Sequence, residues 1–272
     1  MDAFFYALIF FANLVVNKFL PCSSIVISYS CFLGLYEINF AFYWKAPHYM
    51  AIPKMIYQTY KTAKLPFIFR WHIRRLKQKN PSYTYEFYDD KRASDFIREA
   101  YGEKISLLFE RINIGAAKAD FLRYAILYKK GGVYLDIDSL ISSKIDDFIK
   151  AGDVAVISHE GNKKFFLQYV MFFEANHPFL KRTMELMILN LKQNTYPNDT
   201  HKMTGPTVFT KAISDCMANQ PNVDYRILGT DFDNNVKFSF RGSKTVLYGI
   251  LRNKHWKKMS DKVTVMAAEE DQ

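Results

Sequence analysis

Residues 131–140 read GGVYLDIDSL, and this stretch decides the fold that the sequence predicts. Two glycines lead into an apolar run that delivers two aspartates one residue apart. A strand over 133–138 would place Tyr134, Asp136 and Asp138 on one face, with the carboxylates roughly 7 Å apart, and the apolar residues on the other. In an open α/β sheet, the carboxyl end of a strand borders the usual ligand crevice.

The two carboxylates indicate a bound cation. Two anionic groups held together in a partly buried place repel each other, and a metal ion removes that repulsion. Carboxylate oxygens suit Mg²⁺ or Mn²⁺, and these ions also bridge phosphate oxygens. The chemistry predicted for Asp136 and Asp138 is therefore the handling of a diphosphate, with the metal stabilising the negative charge that builds on it.

A helix is predicted directly before this strand, over 115–130, where apolar residues recur at helical spacing. Gly131 or Gly132 supplies its stop. Asp120 and Arg123 lie three residues apart and are therefore neighbours on one helix face. An ordinary ion pair within the helix is the alternative explanation, but their position in the helix that feeds the DID strand favours a function.

Strands alternate with helices along the rest of the chain, which predicts an α/β sheet. We expect strands over 52–60, 84–90, 153–158 and 263–266, and helices over 67–79, 92–100, 178–194 and 204–217. Ser94 or a nearby acid is the expected cap of the helix over 92–100. The predicted catalytic domain spans 52–266, after a linker over 46–55 and before an acidic tail over 267–272.

The N-terminal region is apolar. Residues 3–17 and 19–36 carry no charge and are separated by Lys18. We interpret 1–45 as a hydrophobic membrane-anchor region with one or two helical spans; a buried helical hairpin of a soluble protein is the alternative. Basic residues after this region favour a cytoplasmic domain. The sequon at Asn198 favours a lumenal one, so the side of the membrane stays open.

The net charge of +10 lies entirely beyond residue 50, because residues 1–50 carry no net charge. A basic domain favours anionic partners such as acidic lipid headgroups or phosphorylated small molecules, although a solvated lysine-rich surface explains the charge equally well. The chain has no arginine-rich arm and no zinc-finger spacing, so nucleic acid is not expected as a partner. Its three cysteines form neither a disulfide framework nor a CxxC metal site.

The DXD occurs within a longer pattern, ADFLRY, six residues and then GGVYLDID, over 119–138. This pattern resembles the sugar-binding region containing the DXD motif in the Och1-like α-1,6-mannosyltransferases, glycosyltransferase family 32. IPKMIYQTYK (52–61) is similar to the opening strand of that family, with Tyr57 and Tyr60 in place of the usual His and Trp. NPSYTYEFYDD (80–90) and His255-Trp256 also resemble family segments, so the likeness covers roughly 50–260.

The resemblance implies a GT-A type, Rossmann-like mixed sheet flanked by helices that binds a nucleotide sugar and Mn²⁺ or Mg²⁺. By analogy, Asp138 binds the metal directly, with His255 as a candidate further ligand, and Asp136 contacts the ribose and, through water, the metal. The resemblance also assigns donor binding to a further set of residues, namely Asp120, Arg123, Tyr57 and Tyr60.

The function implied is transfer of a hexose from GDP-mannose or a UDP-sugar to a glycan, lipid or protein hydroxyl, with retention of anomeric configuration. The implied localisation is a membrane of Golgi or ER type, or a viral or host membrane. Two alternatives stay open. One is a non-catalytic membrane scaffold that keeps the fold; the other is a haloacid-dehalogenase-type phosphatase, which also places an apolar strand before a D-x-D.

Overall fold

The computed structural model describes residues 24–33, 36–45, 52–243 and 263–267. The chain divides into two units, Met1–Tyr49 and Met50–Gln272. In the first unit, β1 (Ser24–Leu33) and β2 (Tyr36–Lys45) pair antiparallel. These strands stand where a helix was expected over 19–36, and the many β-branched and aromatic residues of this stretch favour strand. The expected apolar helix over 3–17 lies outside the described residues.

Among the residues that the structure describes, no helix is both long and apolar enough to cross a bilayer.

The second unit contains a six-stranded mixed sheet with the order β4-β3-β5-β8-β7-β9. Only β8 runs antiparallel to its neighbours in this sheet. The carboxyl ends of β3, β5 and β7 therefore meet at the edge where β8 begins. The strands are β3 (Met55–Thr59), β4 (Thr84–Tyr88), β5 (Gly132–Leu135), β7 (Ala155–Ser158), β8 (Val170–Phe173) and β9 (Arg226–Leu228), and a separate pair joins β6 (Leu140–Ile141) to β10 (Val236–Lys237).

The sheet is flanked by helices, which confirms the predicted α/β class. They are α1 (Phe67–Lys79), α2 (Asp90–Tyr101), α3 (Glu103–Glu110), α4 (Gly115–Lys130), α5 (Pro178–Gln193), α6 (Thr200–Met203), α7 (Pro206–Asn219) and the short turn α8 (Thr230–Asn234). The predictions over 67–79 and 115–130 are confirmed at both ends. Of the two expected caps of α2, the structure has the nearby acid and not Ser94: the side chain of Asp89 accepts from the N–H of Arg92 at 2.9 Å.

The glycine pair between α4 and β5 is required by its surroundings. Gly131 ends α4 with a φ of 63°, and a Cβ there would lie 2.6 Å from the backbone nitrogen of Ala175. Gly132 has a φ of 110°, and its Cβ would lie 2.9 Å from the carbonyl oxygen of Met55 on β3. Only glycine combines these backbone angles with such close approach, so the pair brings β5 directly against β3.

The core lies on both faces of the sheet. Tyr134 packs with the buried residues of α4 on one face, while Val133 and Leu135 pack on the other. The predicted alternation is therefore confirmed within β5. It ends at Leu135, two residues before Ile137, which packs in a separate cluster with Phe69 of α1. The strand expected over 133–138 is thus too long.

Other differences are local. The segment 263–266 contributes a single bridge, between Met266 and Ile112, in place of the expected strand. Helix α3 and strand β8 were not predicted, because each is short and its apolar residues show no distinctive period.

His177 lies buried at the start of α5 and gives a testable pH dependence. Its Nδ1 accepts from the N–H of Phe179 at 3.2 Å, and its Nε2 donates to the carbonyl of Asp224 at 3.0 Å. Both bonds belong to the neutral imidazole. Burial lowers the pKa of His177 to about 4, against the opposing effect of Asp224. In the unfolded chain, the imidazole of His177 binds a proton below about pH 6.5, whereas in the folded chain it does so only near pH 4.

His177 therefore makes its full contribution to the free energy of unfolding above about pH 6.5. That contribution, roughly 3 kcal/mol at most, is lost as the pH falls towards 4. His177→Asn keeps a side-chain acceptor at the helix start and removes the titration. We expect urea unfolding at pH 7 and pH 5 to show a shallower acid loss in this variant. Parallel losses in the two proteins would contradict the assignment.

Candidate active site

The DXD aspartates are presented by a turn that follows β5. The carbonyl of Asp136 accepts from the backbone N–H of Ser139 at 3.0 Å and from its hydroxyl at 2.8 Å. The side chain of Gln58, on β3, donates to the same carbonyl at 3.2 Å. These three bonds bend the chain away from the strand direction. Both carboxylates still line one cavity, but through the turn rather than through strand alternation.

Arg123 joins two carboxylates from different elements. Its Nη2 lies 2.8 Å from Oδ1 of Asp136 and 3.4 Å from Oδ1 of Asp120, and its Nη1 donates to the carbonyl of Gln168 at 3.0 Å. The hydroxyl of Tyr134 donates to the same Asp136 oxygen at 3.0 Å. The pair Asp120 and Arg123 is therefore more than an intrahelical ion pair, since it fixes the first aspartate of the DXD.

Asp120 is held on its other side by residues that the sequence did not single out as site residues. Gln168, which directly precedes Tyr169 and β8, donates to Oδ1 of Asp120 at 3.2 Å, and the hydroxyl of Thr204 donates to Oδ2 at 2.9 Å. Tyr124 in turn donates to the amide oxygen of Gln168. No local pattern marks Gln168, because its partner lies 48 residues earlier in the chain.

Burial and the charges of the neighbouring groups act in opposite directions on the pKa of each member of this network. Burial raises the pKa of Asp120 to about 6, although Arg123 and Thr204 act to lower it. Burial likewise raises the pKa of Asp136, with Arg123 and Tyr134 opposing. For Arg123, burial acts to lower the pKa, and the carboxylates outweigh it, so this pKa is raised. Two carboxylates share one guanidinium here, so the network can attract a cation or a hydroxyl donor.

The network opens into a cavity of about 390 Å³ at the carboxyl edge of the sheet. Asp138 lies on its wall and is only 6% exposed. Polar side chains around the cavity come from β3, α4, the turn after β5, the segment between β7 and β8, and α6, and include Thr59, Asp120, Arg123, Asp136, Asp138, Glu160, Gln168, Tyr169 and His201.

The structure does not bring every predicted residue to this cavity. Tyr57 is 1% exposed and packs against Tyr88 with ring centroids 6.3 Å apart, and burial raises its pKa. Tyr60 is half-buried against Phe69 at 5.8 Å. Of this strand end, Thr59 lines the cavity, and neither tyrosine does. His255 lies outside the described residues.

The donor set at the DXD turn fits a divalent metal only in part. Among the described residues, no group of three or more His, Cys, Asp or Glu side chains could hold a metal ion. Asp136 and Asp138 together provide hard carboxylate oxygens on one cavity wall. Mg²⁺ and similar ions are commonly bound by one or two carboxylates plus substrate phosphates. The residues therefore fit a metal whose remaining ligands come from a bound diphosphate.

Residues 67–155, which contain α4, the DXD turn and Arg123, match the family described as "Glycosyltransferase sugar-binding region containing DXD motif". The resemblance to the DXD-containing glycosyltransferases that the sequence predicted is thereby confirmed. The class of protein is also confirmed, since named mannosyltransferases match the chain as well: it is a glycosyltransferase.

The chain is 28% identical to an uncharacterized glycosyltransferase of Acanthamoeba polyphaga mimivirus, over 66% of this chain and 72% of that protein. It is 35% identical to a mannosyl phosphorylinositol ceramide synthase of Saccharomyces cerevisiae, over 38% and 27% respectively. It is 31% identical to an initiation-specific alpha-1,6-mannosyltransferase of Schizosaccharomyces pombe, over 39% and 27%. The matches thus span only about a quarter of the length of these two fungal relatives.

Among solved structures, the chain is similar to the PaToxG glycosyltransferase, with 20% identity, coverage of 78% of this chain and 79% of that chain, and a TM-score of 0.49.

Proposed function

We propose that this glycosyltransferase transfers a hexose, with mannose the first candidate, from a nucleotide sugar to a hydroxyl acceptor. The observation that carries the proposal is the buried Asp120–Arg123–Asp136 network on the wall of the cavity. A buried charged network that faces a cavity is a marker of a functional site. The mannosyl assignment rests on the names of the two fungal relatives, a mannosyl phosphorylinositol ceramide synthase and an alpha-1,6-mannosyltransferase, and makes GDP-mannose the first donor to test, before UDP-sugars.

In this proposal, the residues of the network hold the donor sugar and the ribose. Asp120 and Asp136 offer carboxylate oxygens to sugar hydroxyls, and Arg123 keeps both carboxylates ionised and oriented. Gln168 and Thr204 fix the rotamer of Asp120 through bonds to both of its oxygens. Preorganisation of this kind favours catalysis because no reorientation is needed in the transition state.

The reaction forms one bond and breaks one bond. The acceptor hydroxyl oxygen bonds to the anomeric carbon, and the bond from that carbon to the diphosphate oxygen breaks, with its electron pair leaving on the nucleoside diphosphate. The proton of the acceptor hydroxyl passes from the attacking oxygen to the departing diphosphate, which has gained the electron pair. We propose retention of configuration, as in the family that the sequence resembles. A Mn²⁺ or Mg²⁺ ion held by Asp138 and Asp136 would neutralise charge on the leaving diphosphate. Tyr57, Tyr60 and His255 stay candidate donor or metal contacts.

Two further parts of the proposal concern the fold and the location of the protein. We propose a GT-A fold for the domain, supported by the mixed sheet with the DXD at the end of β5. We also propose attachment to a membrane through residues 1–45, on the basis of their apolar sequence, in which residues 3–17 and 19–36 carry no charge.

The test is slow hydrolysis of donor by the full chain in detergent, with GDP-mannose, UDP-glucose and UDP-galactose compared in the presence of Mn²⁺. We expect one donor to be cleaved and a chelator to stop the cleavage. Metal-dependent binding of donor without hydrolysis, and without transfer to any acceptor offered, would instead support the non-catalytic scaffold. Release of phosphate from a generic phosphoester would support the phosphatase, whose nucleophile would be Asp136, although Oδ1 of Asp136 is already engaged by Arg123 and Tyr134.

A further inference from the structure

Helix α1 carries a basic and aromatic surface that the proposed transfer reaction does not use. Residues 61–79 hold seven basic side chains and no acidic one: Lys61, Lys64, Arg70, Arg74, Arg75, Lys77 and Lys79. Within the part of the chain that the structure describes, none of the seven forms a salt bridge. Elsewhere in the domain, basic residues such as Arg92, Arg98 and Arg182 are paired.

Two large aromatic side chains stand on the same helix surface. Phe67 is 74% exposed and Trp71 is 47% exposed, although side chains of this size are usually covered. Residues 67, 71, 74, 75 and 78 follow one another at helical spacing and form one stripe. The guanidinium of Arg75 lies 4.8 Å from the ring of Trp71, and that of Arg70 lies 6.0 Å from the ring of Phe67.

The opposite side of α1 is fixed to the active site. Phe69, His72, Ile73 and Leu76 are buried beneath the helix. Nε2 of His72 donates to the carbonyl of Ser139 at 2.8 Å, directly after the DXD, and the His72 ring stacks on Phe240 at 4.3 Å. A second cavity, of about 640 Å³, lies between α1 and this turn and is lined by Trp71, Arg75 and Ser139 among others. The exposed face of α1 therefore borders the site.

We propose that the exposed face of α1 docks the domain onto a bilayer surface that contains anionic lipid headgroups. Helices that lie in the membrane interface combine exposed aromatic side chains with flanking Lys and Arg side chains. The aromatic side chains enter the headgroup region, and the basic side chains contact anionic lipid. A stripe of exposed aromatic and basic side chains along one helix suits a planar surface better than it suits a nucleic acid strand, which stacks successive bases along a basic groove. Docking through α1 holds the DXD turn close to acceptors at the membrane.

The test uses the full chain with Trp44→Phe and Trp256→Phe, so that Trp71 is the only tryptophan. Vesicles of phosphatidylcholine with brominated acyl chains, with or without about 30 mol% phosphatidylserine, report contact of Trp71 with lipid. We expect Trp71 fluorescence to be quenched in the anionic vesicles and the quenching to fall as salt is raised. Attachment through residues 1–45 alone would leave Trp71 unquenched in both.

The charge requirement is tested with Arg70→Glu/Arg74→Glu, which we expect to weaken the phosphatidylserine-dependent quenching about tenfold or more in lipid titration. Lys150→Glu/Lys192→Glu makes the same change of charge at exposed positions outside α1 and should leave the quenching unchanged. A second measurement is the fraction of protein that cosediments with the same vesicles. It compares the chain that keeps all three tryptophans with its Arg70→Glu/Arg74→Glu variant.

Three results would overturn the proposal. They are absence of quenching in anionic vesicles, equal quenching with and without phosphatidylserine, and equal loss in the Lys150 and Lys192 control. A chain that showed the expected quenching but turned over no donor would keep this inference and lose the proposed function, so the two are distinguishable.

Discussion

Asp138→Asn is expected to reduce Mn²⁺-dependent donor turnover by about a hundredfold or more, equivalent to roughly 3 kcal/mol of transition-state stabilisation. Asparagine keeps the shape of this buried side chain and removes the negative charge of the carboxylate to which we assign metal binding. The fall should appear in kcat and be accompanied by weaker binding of Mn²⁺ in the presence of nucleoside diphosphate. Steady-state hydrolysis and calorimetric titration of Mn²⁺ measure the two effects.

The matched control is Asp89→Asn. It makes the same chemical change outside the cavity, and asparagine still caps α2 as Asp89 does. We expect wild-type turnover from this variant. If Asp138→Asn folds, as judged by circular dichroism, and retains the wild-type rate and metal dependence, Asp138 is not the metal ligand.

Arg123→Met is expected to lower the free energy of unfolding by about 3–5 kcal/mol and to abolish donor binding. Arg123 is 4% exposed and Asp120 is 5% exposed, so removal of the guanidinium leaves two carboxylates close together without a counterion. Methionine fills much of the same volume, which separates the loss of charge from the creation of a cavity. Urea unfolding and binding of the nucleotide-sugar donor measure the outcome.

Arg182→Met serves as the control for this prediction. Arg182 lies on α5 with its side chain 40% exposed, and it pairs with Asp215 at 2.9 Å. An exposed pair contributes at most about 1 kcal/mol, so this variant should lose far less stability. Adding Asp136→Asn to Arg123→Met should recover part of the stability by removing one unpaired charge. Similar losses for Arg123→Met and Arg182→Met would show that the network has no special electrostatic role.

Local sequence was sufficient for several elements. The helix over 115–130 is confirmed because its apolar period, its terminal lysines and the glycines that stop it all act within a few residues of one another. The same holds for the helix over 67–79. The placement of the DXD after a buried strand and the proximity of Asp120 to Arg123 also follow from local spacing.

The alternation of apolar and polar residues over 133–138 did not show where strand β5 ends. The turn is fixed by bonds to the carbonyl of Asp136, and one of them comes from Gln58, which lies 78 residues earlier. The same is true of the network around Asp120, whose partners Gln168 and Thr204 lie 48 and 84 residues away. Such contacts depend on which strands become neighbours, and a chain segment carries no periodic signal for them.

The sequence by itself determined the α/β class, the glycosyltransferase resemblance and the two aspartates of the candidate site, because each depends on residues close together in the chain. Only the tertiary structure decided that a turn presents those aspartates, that Gln168 and Thr204 hold Asp120, and that the exposed face of α1 borders the site. These features arise where β3, β5 and β8 meet, and that meeting is set by the packing of the whole sheet.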